Sequence, residues 1–483
     1  MKAIGDIRPL EWSDRRLLLS LLGLAFLLRL CVVPIIGIHH FDELWQYLEP
    51  AYKIVTGRWV ETWDFREGIR SWLVPMAVAP AVWLGLTLDP DGLMHVYLPR
   101  VEMALLSLTI IWSAWKLGLR ISRLHAAMAA LIAATWVEFV HFGPRTMSEP
   151  IAVALLFPAF VLITEDGRSK WALGGLLLGL AVMVRLQYAP AAALLALGGI
   201  WNRWDRLPWV IAGGIIGFAI DGFSDFLAGE PPFHWITQNF SINFLQGRSA
   251  DFGTSPWYEY LLDLLYYWKF AAGFIIVLAG VGARRFPILM IVAVANIIVH
   301  SLIAHKEYRF IFLSSAILVF LAAIGTADAL KLTVARRPAL TKLAIAVWLM
   351  SSGFLALVDP IRADLRTLAP LLTSLRIAGN SSSACGLATY GLRNEPAAAY
   401  SFYNRETPIY TFKGENARED FLANSSRFNI VIARRASGSV IGSGYRLDRC
   451  ADPTGSKLCI YRRKGGCTAS VERDSDVNRV WSQ

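Results

Sequence analysis

SWLVPMAVAPAVWLGLTL, Ser71 to Leu88, decides how this chain is threaded. The run approaches the roughly 17–25 apolar residues with which a helix crosses hydrocarbon. Pro75 and Pro80 interrupt it, however, and proline weakens a helix interior by removing a donor and clashing with the preceding turn. The surrounding chain of 483 residues is 55% hydrophobic and only 17% charged, with a mean hydropathy of +0.45. Soluble domains carry about 25% charge, so this composition is that of an integral membrane protein. Apolar runs of near-spanning length lie at about residues 16–37, 98–117, 124–142, 147–164, 172–187, 188–201, 208–227, 258–283, 286–303, 308–328 and 341–358. They predict an all-α polytopic protein with about eleven transmembrane helices.

Charge decides the part played by Ser71–Leu88. If it does not fully span, MKAIGDIRPLEWSDRR, KLGLRISR, EDGRSK, NRWDR, GARR and KLTVARRP all face one side. Those six segments hold roughly twice the Lys and Arg of the connections opposite, the bias of cytoplasmic loops. Counting Ser71–Leu88 as a span reverses that bias, so it is read as re-entrant or lying along the outer interface. The net charge of +10 is accounted for by these short clusters, which form no extended basic surface, and this argues against a nucleic-acid partner. Facing outward are the loop His39–Arg70, the turn around Arg145, the loop Ala228–Trp257, HKEYR and everything after Asp359.

The last part of the chain has a different texture. Short β-like runs, FNIVIAR and KLCIYRR, alternate with turn-rich pieces such as ADPTGSK. The division expected is a membrane catalytic domain over residues 1–359 and a small soluble α/β domain over 360–483. Cys385, Cys450, Cys459 and Cys467 lie in the latter, on the predicted oxidising side. They are candidates for two disulfides, with Cys450 and Cys459 flanking a hairpin turn as one pair, or for free thiols; their spacings fit no common zinc pattern.

HHFDELWQYLEPAY, His39 to Tyr52, places an acidic pair just beyond the first apolar run. From Asp42 onward, Leu44, Trp45, Leu48, Ala51, Tyr52 and Val55 recur at helical spacing, with Asp42, Gln46, Glu49 and Lys53 on the other side. This predicts an amphipathic helix on the outer membrane surface. Asp42 is either its N-cap or a chemically active carboxylate. A tightly bound metal on His39, His40, Asp42 and Glu43 is set aside, because sequence neighbours on a helix diverge by about 100°. A second polar cluster, HKEYRFIF (His305 to Phe312), puts Lys306 and Arg309, and His305 and Arg309, on one face of a helix. Cations there run against the positive-inside bias. They are either snorkelling anchors with Glu307 as partner or a clamp for a phosphate headgroup. Arg70, Arg145, Arg185 and Asp221 are further ionisable groups in or against apolar runs, a placement that is functional by default; Arg185 and Asp221 are candidates for an ion pair. There is no P-loop and no glycine-rich Rossmann turn, and GGIIG reads as helix packing.

HFDELWQYLEPAY, TWDF followed by GIRSW, FGTSPWYEYL, HKEYRFI and, more loosely, PRTMSEP resemble in order the motifs of glycosyltransferase family 22. Those enzymes elongate GPI anchors and N-glycan precursors with dolichyl-phosphate-mannose and have bacterial relatives. The resemblance covers roughly residues 38–312. It departs at Phe41, where the family usually has proline, and at Asp64 in TWDF, where the family has TWEW. It implies a GT-C fold and an inverting transfer of a sugar, mannose by resemblance, from a polyprenyl-phosphate donor to a hydroxyl of a glycan or glycolipid acceptor. Asp42 is the implied catalytic base, with Glu43 beside it. His305, Lys306 and Arg309, together with Arg70, are expected at the donor phosphate, and His40, Gln46, Arg145 and Trp257 at the substrates. No cofactor or metal is required by this scheme. A transporter or flippase of an anionic lipid-linked sugar would also want such charges, but inverted repeats and paired broken helices are not seen in the sequence. A bacterial inner membrane, with the site and the C-terminal domain facing the periplasm, is the expected location.

Overall fold

The computed structural model describes residues 12–331, 338–392, 398–442, 444–451, 458–468 and 477–480. Expectations placed on residues 1–11, on residues 332–337 of the last basic connection and on the turn at 452–457 lie outside the described residues. The chain divides into two compact units. One comprises Met1–Pro34, Ser71–Val74 and Arg100–Ala363, the other Ile35–Arg70, Pro75–Pro99 and Asp364–Gln483.

The first unit is a helical bundle, and each of the eleven apolar runs holds helix. Among the described residues Met94–Leu119, Trp204–Leu227, Tyr308–Lys331 and Ala339–Leu357 are each long and apolar enough to cross a membrane. Shorter apolar helices, including Arg123–Thr135, Ser148–Thr164, Leu186–Ile200 and Pro287–Ser301, take up other runs. Helix Phe312–Lys331 is buried along almost its whole length and carries much of the core through Leu313, Ile317, Phe320, Leu321 and Ile324.

Two runs expected as continuous spans are broken. Residues 258–283 form Glu259–Trp268 and Ala271–Ala283, bent by 110°. The cause is local: Lys269 closes the first helix by donating to the Leu265 carbonyl (2.8 Å), and its left-handed φ of 51° turns the chain. The run at 124–142 breaks at Trp136, whose extended backbone separates Arg123–Thr135 from Val137–Phe142. The carbonyls of Ala133 and Ala134 that this break leaves over accept from the buried Arg29 guanidinium at 3.4 and 3.3 Å. Ser71–Leu88 resolves into one helix, Leu73–Leu88, with Pro75 in the tolerated first turn and Pro80 inside.

GGIIG does serve close packing. A Cβ on Gly213 would sit 1.9 Å from the Ala172 carbonyl oxygen of helix Arg168–Val184, whereas one on Gly214 would meet nothing nearer than 3.7 Å. Small residues at such a crossing let two membrane helices approach at backbone distance.

The second unit contains a five-stranded sheet in the order β2-β1-β3-β5-β4, formed by β1 (Leu387–Tyr390), β2 (Ile409–Phe412), β3 (Ile430–Arg434), β4 (Arg446–Cys450) and β5 (Leu458–Arg462). β1 runs parallel to both β2 and β3, while β5 is antiparallel to β3 and β4. The FNIVIAR and KLCIYRR runs become β3 and β5, whose apolar residues join Phe412, Phe421 and Phe428 in the core. Disulfides join Cys450 to Cys459, which face each other in register, and Cys385 to Cys467.

The segment Glu43–Tyr52 is buried, and only the last turn, Lys53–Thr56, is partly exposed. Glu43–Leu48 form a π-helical turn that runs into the α-helix Glu49–Thr56. Gln46 and Glu49 are buried, like Leu44, Trp45 and Tyr52, so the polar side of the expected amphipathic pattern is not left open.

Gly213→Ala should lower the thermal midpoint of the detergent-solubilised protein by several degrees. Gly214→Ala, where the methyl has room and alanine gains up to about 1 kcal/mol of helix propensity, should leave it unchanged or raise it.

Candidate active site

In the second unit, the backbone of Asp42 is already helical (φ −58°, ψ −35°) and its side chain makes no capping bond, so it is not an N-cap. Its N–H donates to His40 Nδ1 (3.3 Å), and its Oδ1 lies 3.4 Å from the same nitrogen. Glu43 is buried and accepts the His39 N–H at 3.1 Å, while His39 Nδ1 lies 3.3 Å from Asp364. Nearby in sequence, Asp64 accepts from the Thr62 hydroxyl, the Phe65 N–H (3.1 Å) and Arg70 Nε (2.9 Å). Burial works against the Arg70 guanidinium, but the Asp64 and Asp42 carboxylates outweigh it and hold the group above its ordinary value.

Glu49 is fully buried and accepts three backbone N–H groups, from Val60 (2.9 Å), Tyr400 (3.1 Å) and Ser401 (2.7 Å). Burial pushes its carboxyl up from the ordinary value, against the pull of those bonds.

In the first unit, HKEYRFIF does not form the continuous helix that spacing suggested. Glu307 is extended and only Tyr308–Ile311 turn, as a 3₁₀ segment, so Lys306 and Arg309 do not share a face. Arg309 is buried and meets two carboxylates, Glu149 at 3.0 Å and Glu307 at 2.5 Å. Arg185 reaches the same Glu149 oxygen at 3.0 Å; its expected partner Asp221 instead accepts from Ser71 Oγ (2.5 Å) and Trp235 Nε1 (3.1 Å). His305 pairs with Glu307 at 2.8 Å, and that hydrogen bond lifts the imidazole above its ordinary value.

Lys306 is different. Its ammonium donates to the carbonyls of Ile303 (2.6 Å), Ser255 (3.0 Å) and Ala304 (3.5 Å), and among the described residues no carboxylate lies within salt-bridge distance of it. The Ser255 N–H also donates to the Ala304 carbonyl at 3.0 Å, so FGTSPW is joined to the start of HKEYRF by this backbone bond and by the side-chain contacts of Lys306 with the Ser255 carbonyl and His305 with the Gly253 carbonyl.

Tyr308 anchors the loop from beneath. Its hydroxyl donates to the buried Glu138, which also accepts from Trp136 (2.7 Å), Trp268 (2.8 Å) and Ser315 (2.9 Å). Tyr267 stacks on the Tyr308 ring, with centroids 3.5 Å apart. Arg145 is fully buried and Trp257 is largely exposed.

Residues 20–364 match the Alg9-like mannosyltransferase family. The chain belongs to that family. Among its curated relatives, GPI mannosyltransferase 3 of Yarrowia lipolytica is 30% identical over 285 residues, covering 56% of this chain and 55% of that protein. GPI alpha-1,2-mannosyltransferase 3 of Danio rerio is 28% identical over 294 residues (56% and 52%), and that of Homo sapiens 25% over 317 (60% and 52%). The chain thus spans about half the length of the curated relatives it matches. ArnT from Cupriavidus metallidurans, solved bound to undecaprenyl phosphate, superposes with a TM-score of 0.62 at 11% identity, over 94% of this chain and 99% of that one. Its apo structure gives 0.57, over 93% and 98%. This likeness shows a GT-C fold.

Sequence reasoning missed Glu49, Glu138 and Glu149 as organising groups. Each sits in or at the edge of a largely apolar run, the same signal that singled out Arg185 and Asp221.

Glu149→Gln should destabilise the protein by about 3–5 kcal/mol, because it removes the buried carboxylate that Arg185 and Arg309 share, while Arg309 keeps Glu307. This is measurable as a lower thermal midpoint. The His305–Glu307 pair has a raised imidazole value, so its contribution is complete below the ordinary histidine value of about 6.5 and fades as pH rises through the raised one. The thermal midpoint of the wild type should fall over that alkaline-side window, and His305→Gln should flatten the fall.

Proposed function

We propose that this protein transfers mannose, with inversion, from a polyprenyl-phosphate donor to a hydroxyl of a glycan or glycolipid acceptor on the outer side of a bacterial inner membrane. The observation that carries this reading is the uneven pairing around His305–Phe312. Glu149 and Glu307 pair with the two guanidiniums of Arg185 and Arg309, while the Lys306 ammonium donates to a nest of carbonyls. An ammonium so placed suits a phosphate that gains negative charge as its bond to the sugar breaks. A protein of the same fold was solved with undecaprenyl phosphate bound, which supports a lipid-phosphate donor. The two disulfides of the second unit support an oxidising compartment on its side of the membrane.

In this reading Asp42 takes the proton of the acceptor hydroxyl as the oxygen attacks the anomeric carbon. The new carbon–oxygen bond forms on the face opposite the breaking bond to phosphate oxygen, as in inverting glycoside chemistry. The bonding electrons leave with the phosphate, whose second pKa of about 6 lets it depart without a strong general acid. Lys306 meets that charge, with His305 and Arg309 behind it. Glu43 and His40 orient Asp42, and Arg70 balances the carboxylates around it. Gln46, Arg145 and Trp257 are assigned to substrate contacts.

The test is product formation by purified protein given polyprenyl-phosphate-mannose and candidate glycolipid acceptors, read by mass spectrometry. Asp42→Asn should lower kcat by about 10²–10⁴-fold, the range lost with a general base. Lys306→Ala should lower it by about 10²-fold or more. Equal yields from the wild type and both variants would overturn the assignment.

A further inference from the structure

The helix that carries Asp42 is laid against one short stretch of the C-terminal part of the chain, Ala398–Asn404, within the second unit. Three side chains on one face of Glu43–Thr56 reach it in register. Trp45 Nε1 donates to the Ala398 carbonyl (3.0 Å), the Glu49 carboxylate accepts the Tyr400 and Ser401 N–H groups, and the Tyr52 hydroxyl donates to Asn404 Oδ1 (2.9 Å). Residues 45, 49 and 52 stand at successive turns, so their partners follow one another along the chain in the same direction.

The middle contact dominates energetically. A carboxylate buried this deeply is costly unless its lone pairs are filled. Here both oxygens accept backbone N–H groups, and one of them also takes the Val60 N–H. Glu49 thereby ties three separate pieces of chain, at residues 49, 60 and 400–401, to one point. Two further links fasten the start of the same segment, the Ile38–Thr367 bridge and the His39–Asp364 pair (3.3 Å). The residues next to Asp42 are therefore held from both ends by residues beyond 360.

We infer that Glu49 is a positioning residue, and that the C-terminal part of the chain acts as a splint which fixes the backbone presenting Asp42. This rests on the reading of Asp42 as general base. It gives the C-terminal residues a part in the reaction that does not require them to touch either substrate.

The experiment compares steady-state kinetics, amide hydrogen exchange and folding state for Glu49→Gln, Tyr52→Phe and Asp42→Asn in the full chain. The Gln amide sets its own N–H₂ against backbone N–H groups, so the splint loosens while side-chain size is kept. Glu49→Gln should lower kcat by about 10²-fold, as a displacement near 1 Å does, with KM for donor and acceptor changed by no more than about twofold. Exchange at residues 41–48 should quicken while β1–β5 remain protected. Tyr52→Phe should show a smaller loss of the same kind, and it carries the test if Glu49→Gln does not fold. Wild-type kcat in a folded Glu49→Gln, or unchanged exchange at 41–48 in both splint variants, overturns the inference. Full activity in Asp42→Asn overturns the base assignment instead, and the exchange measurement, which needs no turnover, keeps the two failures apart.

Discussion

Burying an ion in a helical bundle costs several kcal/mol unless a partner is supplied. Around His305–Phe312 the partners are supplied unevenly. Glu149 sits between Arg185 and Arg309, Glu307 bridges Arg309 and His305, and the four-donor cage around Glu138 holds Tyr308. These contacts fix the loop and spend the charge of its guanidiniums. Lys306 instead projects onto carbonyl oxygens and, among the described residues, has no carboxylate within salt-bridge distance. In the proposed function a departing phosphate calls for a rigid cradle and a nearby ammonium, and this division of labour supports that proposal.

The second unit meets a comparable demand differently. Two of its carboxylates accept backbone N–H groups, Glu43 from His39 and Glu49 from Val60, Tyr400 and Ser401, whereas Asp64 also takes Arg70. Such contacts are directional, so they fix the orientation of the carboxylates they hold. The unit also draws on both sides of residue 360, and the small sheet and its disulfides are continuous in structure with the loop that bears the acidic pair.

Much of the fold was legible because the hydrophobic effect writes it plainly. Apolar runs of spanning length gave helices, and β-branched and aromatic runs gave β3 and β5. What was not legible depended on single backbone angles and on long-range pairing. Lys269 folds 258–283 into two helices through one left-handed φ, which nothing in a run of Leu, Tyr and Phe announces. The Glu43–Thr56 helix looked amphipathic, yet Glu49 is buried because its lone pairs are filled by residues some 350 positions later. The motifs drew attention to Asp42 and to His305–Arg309, while carboxylates packed near them, Glu49 and Glu149, had to be seen in place. Arg185 was expected to seek Asp221 and found Glu149.

The claim that most of this account depends on is that Lys306 is the cation which meets the lipid phosphate. Its most direct test is the affinity of undecaprenyl phosphate for the protein in nanodiscs, titrated for the wild type, Lys306→Ala and Asp42→Asn. The account predicts that Lys306→Ala weakens binding at least about tenfold, the loss of one charge-assisted contact, while Asp42→Asn binds as tightly as the wild type. Equal affinity in the wild type and Lys306→Ala would contradict it.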